Sequence, residues 1–319
     1  MPNETWHYTS DNNSFLINLL KEKSYSAVVY QDSYAPTEQI VINACKNSNI
    51  PLYVFEHNSP LFVNNKRKLD NILSLKGLLR RILHPYLLYA DIKRKRYLFN
   101  NCEKYILLSK PYISEFASLT GISATNPKLT YIHNPITTSY KVENITKENI
   151  ICCVCQLNKV KRVDEMLRVW KRIQTQLYNW RFQIVGDGEE REHLEALAQK
   201  LRLERIDFVG FSNPTKYYNK AKIFLMTSKY EGLPMTILEA VQHKCVPIVY
   251  DSFSSIHDII ENNFNGIIIK NNDTDSFSKA IINLATDESK REDLAKNGTS
   301  LLNDFKLSSV LNRWIDLLK

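Results

Sequence analysis

Ser228-Lys-Tyr-Glu231-Gly-Leu-Pro234-Met-Thr-Ile-Leu-Glu239-Ala240 follows a β-type run, Ile223-Phe224-Leu225-Met226-Thr227, and leads into Cys245-Val-Pro247-Ile-Val249. The strand ends in a turn at Glu231 and Gly232. Pro234 suits the first helical turn that follows, because the N–H it lacks has no partner there. Ile237, Leu238 and Val241 give this helix one apolar side. A helix starting just after a strand aims unpaired N–H groups and the positive end of its dipole outward, a ready seat for phosphate. Glu231 and Glu239 bracket that seat, about 12 Å apart along a helical path. Carboxylates repel phosphate but accept hydrogen bonds from sugar hydroxyls. The layout therefore suits a nucleotide-sugar: hexose by Glu231, diphosphate on the Gly232-Leu233-Pro234 turn, ribose by Glu239. Taken alone, the stretch is equally a surface helix with two solvated glutamates.

The pattern Ser-x2-Glu-Gly-Leu-Pro-x4-Glu-Ala, with Cys245-Val-Pro247-Ile-Val after it, resembles the donor-site signature of family-4 retaining glycosyltransferases of the GT-B fold. The resemblance is close over roughly residues 150–319 and looser over 15–140. It implies an α/β chain of two Rossmann-like domains facing across a cleft, the N-terminal one reduced. The expected limits are 1–140 for an acceptor-side domain, 147–300 for the nucleotide-sugar domain, and 301–319 for a helix returning to the first. The family's Gly-Arg-Leu-x3-Lys, whose basic residues meet the diphosphate, is matched by Gln156-Leu157-x3-Lys161. Lys161 keeps its charge and Gln156 replaces the arginine, so one charge is missing unless Lys159 or Arg162 substitutes. A charge-assisted hydrogen bond contributes about 1.5–3 kcal/mol, more than a neutral one. The family also carries a histidine after a first-domain strand, facing the donor sugar, a role that falls to His57. Phe211 stands where the nucleobase is placed. The resemblance thus assigns catalysis to Glu231, His57 and Lys161. It assigns donor binding to Gln156, Lys161, Phe211, Glu231, Gly232, Leu233, Pro234 and Glu239. No metal and no cofactor are expected, the nucleoside diphosphate-sugar being a substrate.

At 319 residues two domains are the default. Hydrophobic residues at 44% and charged ones at 24% describe an ordinary globular chain. No apolar run approaches a membrane span and the N-terminus does not read as a signal peptide, so a cytoplasmic chain is expected. The six cysteines (45, 102, 152, 153, 155 and 245) fit no zinc spacing and read as reduced thiols, mostly buried. A net charge of +8 favours anionic partners. Ten of the basic residues lie between 64 and 99, interleaved with leucines and isoleucines and opposed by Asp70 and Asp91. This reads as a basic amphipathic helical region broken near Pro85. It suits the inner face of an anionic membrane, or a core-packed helix pair with a solvated basic face. Its tyrosines match no RNA-binding motif, so nucleic acid is not an expected partner.

Read in order, helices fall at 14–23 and 39–46, strands at 27–30 and 51–55, another strand at 103–109, and one more at 129–132 ending in His133-Asn134-Pro135. The alternation marks a parallel sheet, whose ligands sit beyond the carboxyl ends of the strands. Residues 137–149 are polar and read as the linker. In the second half, strands at 150–154, 182–185, 206–211, 223–227, 246–250 and 267–269 alternate with apolar-faced helices. Gly186-Asp187-Gly188 lacks the third glycine of a dinucleotide fingerprint and reads as a tight strand-to-helix turn. Asp273-Thr274-Asp275 imitates a metal motif but reads better as helix-capping acids.

The first glycine is Gly77, so the glycine-rich loop with which the family's first domain usually opens has no counterpart. The expectation is a shortened first domain or a start lying upstream. Two functions follow. One is a retaining, metal-independent hexosyltransferase of envelope polysaccharide synthesis, acting on a glycan or lipid-linked acceptor. The other is a non-catalytic nucleotide-binding subunit or partner of another transferase, favoured by Gln156. A nucleotide-sugar epimerase on the same fold is a third, less similar at Glu231-Gly-Leu-Pro234.

Overall fold

A computed structural model describes residues 9–32, 37–67, 75–137 and 146–319. Most of the expected linker, and Leu69, Asp70, Ile72 and Leu73 of the basic region, lie outside the described residues. The chain divides into two compact units, Met1–His133 with Asn312–Lys319, and Asn134–Leu311.

The first unit runs α1 (Ser10–Glu22), β1 (Val28–Asp32), α2 (Glu38–Ser48), β2 (Leu52–Glu56), α3 (Phe62–Arg67), α4 (Leu75–Asn100), β3 (Lys104–Leu107), α5 (Pro111–Thr120) and β4 (Leu129–Tyr131). Its sheet is parallel throughout, in the order β1-β2-β3-β4. Strands buried on both faces read as unbroken apolar runs, and Val54, Tyr105, Ile106 and Leu107 are all fully buried. Tyr105 packs on Phe116 with ring centroids 4.6 Å apart. The terminal helix also contributes here: Trp314 meets Phe55 edge-on at 5.4 Å, and the Leu317 carbonyl accepts from the Tyr53 hydroxyl at 3.4 Å.

α4 corrects one expectation. It continues through Pro85 without a break. A proline in a helix removes the hydrogen bond to the carbonyl four residues earlier, here that of Arg81. Pro85 and Arg81 are both exposed, so the lost bond falls on the solvent side of the helix, where its cost is least. The helix is instead anchored from within. Lys95 Nζ lies 2.9 Å from both Glu56 Oε1 and Asp91 Oδ1, and the Tyr105 hydroxyl donates to Glu56 Oε2 at 2.9 Å. Burial pulls the Lys95 ammonium toward neutrality, and the two carboxylates more than offset it, so its pKa stands above the ordinary lysine range.

The second unit contains β5 (Ile150–Val154), α6 (Val163–Ile173), β6 (Arg181–Val185), α7 (Arg191–Lys200), β7 (Ile206–Gly210), α8 (Thr215–Lys220), β8 (Ile223–Met226), α9 (Met235–Gln242), β9 (Val246–Asp251), β10 (Ile267–Lys270), α10 (Thr274–Thr286) and α11 (Glu288–Leu301); α12 (Leu307–Leu318) spans the boundary of the two units. Its six strands are parallel, in the order β10-β9-β8-β5-β6-β7. The core is continuous through Leu167, Trp170, Phe182, Ile184, Ile248 and Phe277. Asp273 caps α10 by accepting from the Ser276 amide at 2.9 Å, the capping role expected of it. All six cysteines are free thiols, five of them buried.

Replacing Lys95 by methionine removes the cation that two buried carboxylates share, and breaking a buried pair in this way costs about 3–5 kcal/mol. A clear fall in the urea midpoint is expected. A midpoint equal to the parent's would show that these ion pairs do not hold α4 to the sheet.

Candidate active site

In a doubly wound sheet the crevice opens beyond the carboxyl ends of the two strands where the winding reverses. In the second unit those strands are β5 and β8. The chain steps from β5 outward to β6 and β7, then returns to place β8 on the other side of β5. The loops after β5 and β8 carry Gln156 with Lys161, and Ser228 with Glu231. Sheet topology therefore joins two motifs far apart in sequence.

Local bonds fix the two loops against each other. The Thr227 hydroxyl donates to the carbonyls of Lys161 and Arg162, each at 2.9 Å. The Lys229 amide donates to the Val160 carbonyl at 2.8 Å. Arg162 adopts a left-handed backbone, φ 49°, which costs about 1–2 kcal/mol in a residue with a Cβ. Its side chain turns inward, donating to the Thr227 carbonyl at 2.6 Å and to Asn272 and Asn271 at 2.6 and 2.8 Å. It also lies 5.0 Å from the centroid of the Tyr250 ring. Arg162 is thus a buried brace and not a substitute for the missing phosphate-binding arginine. Lys159 is exposed. On the far side, Ser255 donates to the Gly232 carbonyl at 2.6 Å, and Ser252 donates to the Ser228 carbonyl.

Lys161 Nζ meets Glu231 Oε1 at 2.6 Å, with both side chains mostly but not wholly shielded. Two residues 70 positions apart are in direct contact. Beside them α9 begins at Met235. Pro234 stands at the N-cap and not inside the first turn, and it offers no side-chain cap. Proline at the cap has no side-chain oxygen to accept from the first helical amides; the Ile237 amide bonds the Pro234 carbonyl at 3.1 Å, and no side chain caps the amides of Met235 and Thr236 from Pro234. Leu233 and Pro234 are buried and Gly232 is half-buried. Glu239, five residues into α9, accepts from the Tyr218 hydroxyl at 3.2 Å. Burial raises its pKa, and the Tyr218 hydrogen bond works against that rise.

The turn after β6 makes room for the loop. A Cβ on Gly186, at φ 138°, would lie 1.9 Å from the Cys155 carbonyl oxygen. Only glycine permits this approach, and the Leu157 amide then bonds the Asp187 carbonyl at 2.9 Å. Gln156 is exposed. Phe211 follows β7 at the sheet edge, two strands from β5 and so about 10 Å away, with 93% of its surface exposed. His57 belongs to the first unit, where it follows β2 and packs against Phe55 at 4.4 Å. The structure thus groups Lys161, Glu231 and the start of α9, and puts Glu239 one turn further along. The braces Thr227, Arg162, Ser255 and Tyr218 are additions to the sequence reading. Only Thr227, at the end of the quoted strand, sits where a strand-to-loop junction could have marked it.

The sequence profile described as Glycosyl transferases group 1 matches residues 136–301. The chain is 26% identical over 233 residues to the amylovoran biosynthesis glycosyltransferase AmsD of Erwinia amylovora, covering 71% of this chain and 65% of that one. It is 24% identical over 295 residues to a Campylobacter jejuni GalNAc-alpha-(1->4)-GalNAc-alpha-(1->3)-diNAcBac-PP-undecaprenol alpha-1,4-N-acetyl-D-galactosaminyltransferase, covering 90% of this chain and 73% of that one. Among solved structures, S. aureus TarM in a complex that includes UDP matches with a TM-score of 0.72 at 18% identity, over 96% of this chain and 59% of that one. Anabaena HepE with UDP and glucose matches at 0.73 and 14%, over 99% and 84%. The fold is GT-B, and the chain spans about two thirds of AmsD and less of TarM.

Beneath Glu239, the Tyr218 ring stacks on His243 with centroids 5.7 Å apart. Lys147 Nζ donates to the carbonyls of Tyr218, Ala221 and His243 at 2.7, 2.7 and 2.6 Å. Burial, then the Lys147 charge, lowers the His243 pKa to about 4, against about 6.5 in an unfolded chain. Between those values the unfolded state binds the extra proton, so stability rises with pH across the window. The stabilisation is complete above pH 6.5 and is lost as pH falls toward 4. His243→Gln is expected to flatten this slope, by about 1–3 kcal/mol over the window, in melts from pH 4 to 7. An unchanged slope would mean that His243 does not titrate as its surroundings dictate.

Proposed function

The chain belongs to the glycosyl transferases group 1, and on that premise we propose that it moves a hexose from a nucleoside diphosphate-sugar to a glycan or lipid-linked acceptor in bacterial envelope polysaccharide synthesis, with retention at the anomeric carbon. The observation that carries the reading is the Lys161–Glu231 contact beside the uncapped start of α9, at the reversal point of the second sheet. The UDP and glucose named for HepE support a nucleotide-sugar donor. The undecaprenol-linked glycan in the Campylobacter relative's name supports a lipid-linked acceptor.

The mechanism follows from charge. The diphosphate seats on the Gly232–Pro234 turn and the first amides of α9, and Lys161 turns from Glu231 to a phosphate oxygen. As the bond from the anomeric carbon to the phosphate oxygen breaks, negative charge grows on the leaving diphosphate, where Lys161 and the helix dipole stabilise it. Glu231, released from its cation, faces the positive charge developing on the sugar ring. The acceptor oxygen bonds to the anomeric carbon from the side the diphosphate leaves, and its proton passes to a leaving phosphate oxygen. Glu239 accepts from ribose hydroxyls, with Tyr218 holding its second oxygen. His57 contributes a polar contact to the donor sugar, and Phe211 a face for the base. Lys161 and the helix start supply the positive charge at the diphosphate, so turnover is independent of added metal.

Lys161→Ala is expected to weaken UDP binding about 10- to 100-fold by calorimetry. Glu231→Gln leaves UDP affinity within about threefold, because it frees Lys161, yet lowers transfer about 100- to 1,000-fold. Chelation with EDTA leaves the parent's rate unchanged. Near-normal transfer by either variant would remove these residues from the site. Tight donor binding with neither transfer nor donor hydrolysis would favour the non-catalytic subunit, to which Gln156 in the arginine's place points.

A further inference from the structure

α4 is amphipathic in the inverse sense. With 100° per residue, its inward face comprises Gly77, His84, Asp91, Lys95 and Leu98, all buried. That face holds the ion pairs with Glu56. The opposite face, over the first four turns, is apolar and open to solvent. Leu78, Leu79, Ile82, Leu83, Tyr86 and Tyr89 fall within a sector of about 140°, with Ile82 66% and Tyr86 69% exposed. Arg80 and Arg81 flank the row, and Lys93 continues its line one turn beyond Tyr89; all three are exposed. The one acid of the helix, Asp91, is buried against Lys95.

The helix also overhangs its sheet. Lys95 already meets Glu56, the last residue of β2. Leu78 lies 17 residues earlier, about 25 Å further along the axis. The exposed row therefore stands past the carboxyl edge of the first sheet, the edge from which His57 extends. Contiguous apolar surface of this kind, rimmed by charge, marks a docking surface.

We propose that this face of α4 docks on an anionic bilayer, with the leucine–isoleucine row and the two tyrosines entering the acyl–headgroup boundary and Arg80, Arg81 and Lys93 lying among the headgroup phosphates. Charge decides the occupant. Packed against α4 of a second copy, these cations would meet one another, since the one acid of the helix is buried against Lys95. A nucleic acid would use the cations and leave the apolar row in water. A bilayer with anionic lipid satisfies both, and tyrosine rings sit well at its interface. Among the described residues no helix is long and apolar enough to cross a membrane.

The test is flotation of the full chain with vesicles of phosphatidylcholine alone or with 3:7 phosphatidylglycerol. The parent is expected to float with the anionic vesicles, about tenfold or more above the neutral ones, with loss of binding in high salt. The double variant Ile82→Glu/Tyr86→Glu, confined to the exposed face, loses binding at least tenfold. Arg80→Gln/Arg81→Gln loses about fivefold per charge. Thermal melts and UDP calorimetry of both variants should match the parent, which separates a docking defect from misfolding and from the donor site. The proposal is overturned if the parent ignores vesicles of both compositions, or if Ile82→Glu/Tyr86→Glu floats as the parent does. It is also overturned if the parent is a dimer in solution that this variant renders monomeric, which would assign the face to a second copy.

Discussion

The hydrogen bonds between the loop after β5 and the loop after β8 are the constraint on which the site rests. One hydroxyl, that of Thr227, holds two successive carbonyls of the opposite loop, and the backbone of Arg162 is bent into the left-handed region to present them. The hydroxyl has one proton to share between the two carbonyls, so this bifurcated bond contributes about 1 kcal/mol net, and the guanidinium bonds of Arg162 add to it against the strain. Arg162 then gives its guanidinium to Thr227, Asn271 and Asn272. The β5, β8 and β10 loops are thereby tied at one point. Lys161, the next residue back, can reach Glu231 only because that point is fixed. The glycine at 186 serves the same end by letting the β6 turn press against Cys155 and Leu157.

Much of this was legible in the residues, and the reason differs by element. The central strands of the second sheet, β5, β8 and β9, are buried on both faces, so they appear as apolar runs whatever their neighbours. The stretch from Ile223 to Glu239 carries strand, turn, helix start and both acids in one continuous run, so its local arrangement needs no tertiary information. The contact of Lys161 with Glu231 is different. It depends on β8 being laid beside β5, and no local pattern encodes which strand lies next to which. Arg162 illustrates the limit. In sequence it is one more cation in a basic loop, and only burial with three carbonyl or amide oxygens around it distinguishes a brace from a phosphate ligand. Pro234 shows the finer error: a cap and a first-turn position differ by one residue and by the direction of one carbonyl.

α4 was the harder case because amphipathicity does not declare which side is in. A helix with leucines on one face and charges on the other ordinarily buries the leucines. Here the buried face is the one that can form an ion network, because Glu56 and Tyr105 wait for Lys95 at the end of β2. Desolvating those charges is expensive unless each is paired, and each is. The leucines are left outside as a result. Pro85 belongs to the same logic, since an exposed turn can lose a backbone bond to water where a buried one could not.

The ion pair at the centre of the proposed function has a further consequence for how a donor enters. Without ligand, Lys161 and Glu231 neutralise each other, and the start of α9 adds its own positive dipole end beside them. A diphosphate arriving there must take Lys161 from a partner 2.6 Å away. Exchanging one anionic partner for another costs little when both are partly solvated, so the exchange is reversible. In the proposed reaction the two partners then separate, because the lysine and the carboxylate stand on different loops. Gly232 is pinned by Ser255, and Ser228 by Ser252, so the backbone that carries Glu231 stays in place when Lys161 turns away. In the proposed reaction that is the place where the sugar ring becomes electron-poor. On the proposed function, the ground-state ion pair thus holds, in neutral form, the two opposite charges that the transition state requires apart, and the braced loops hold the backbone on either side of the carboxylate.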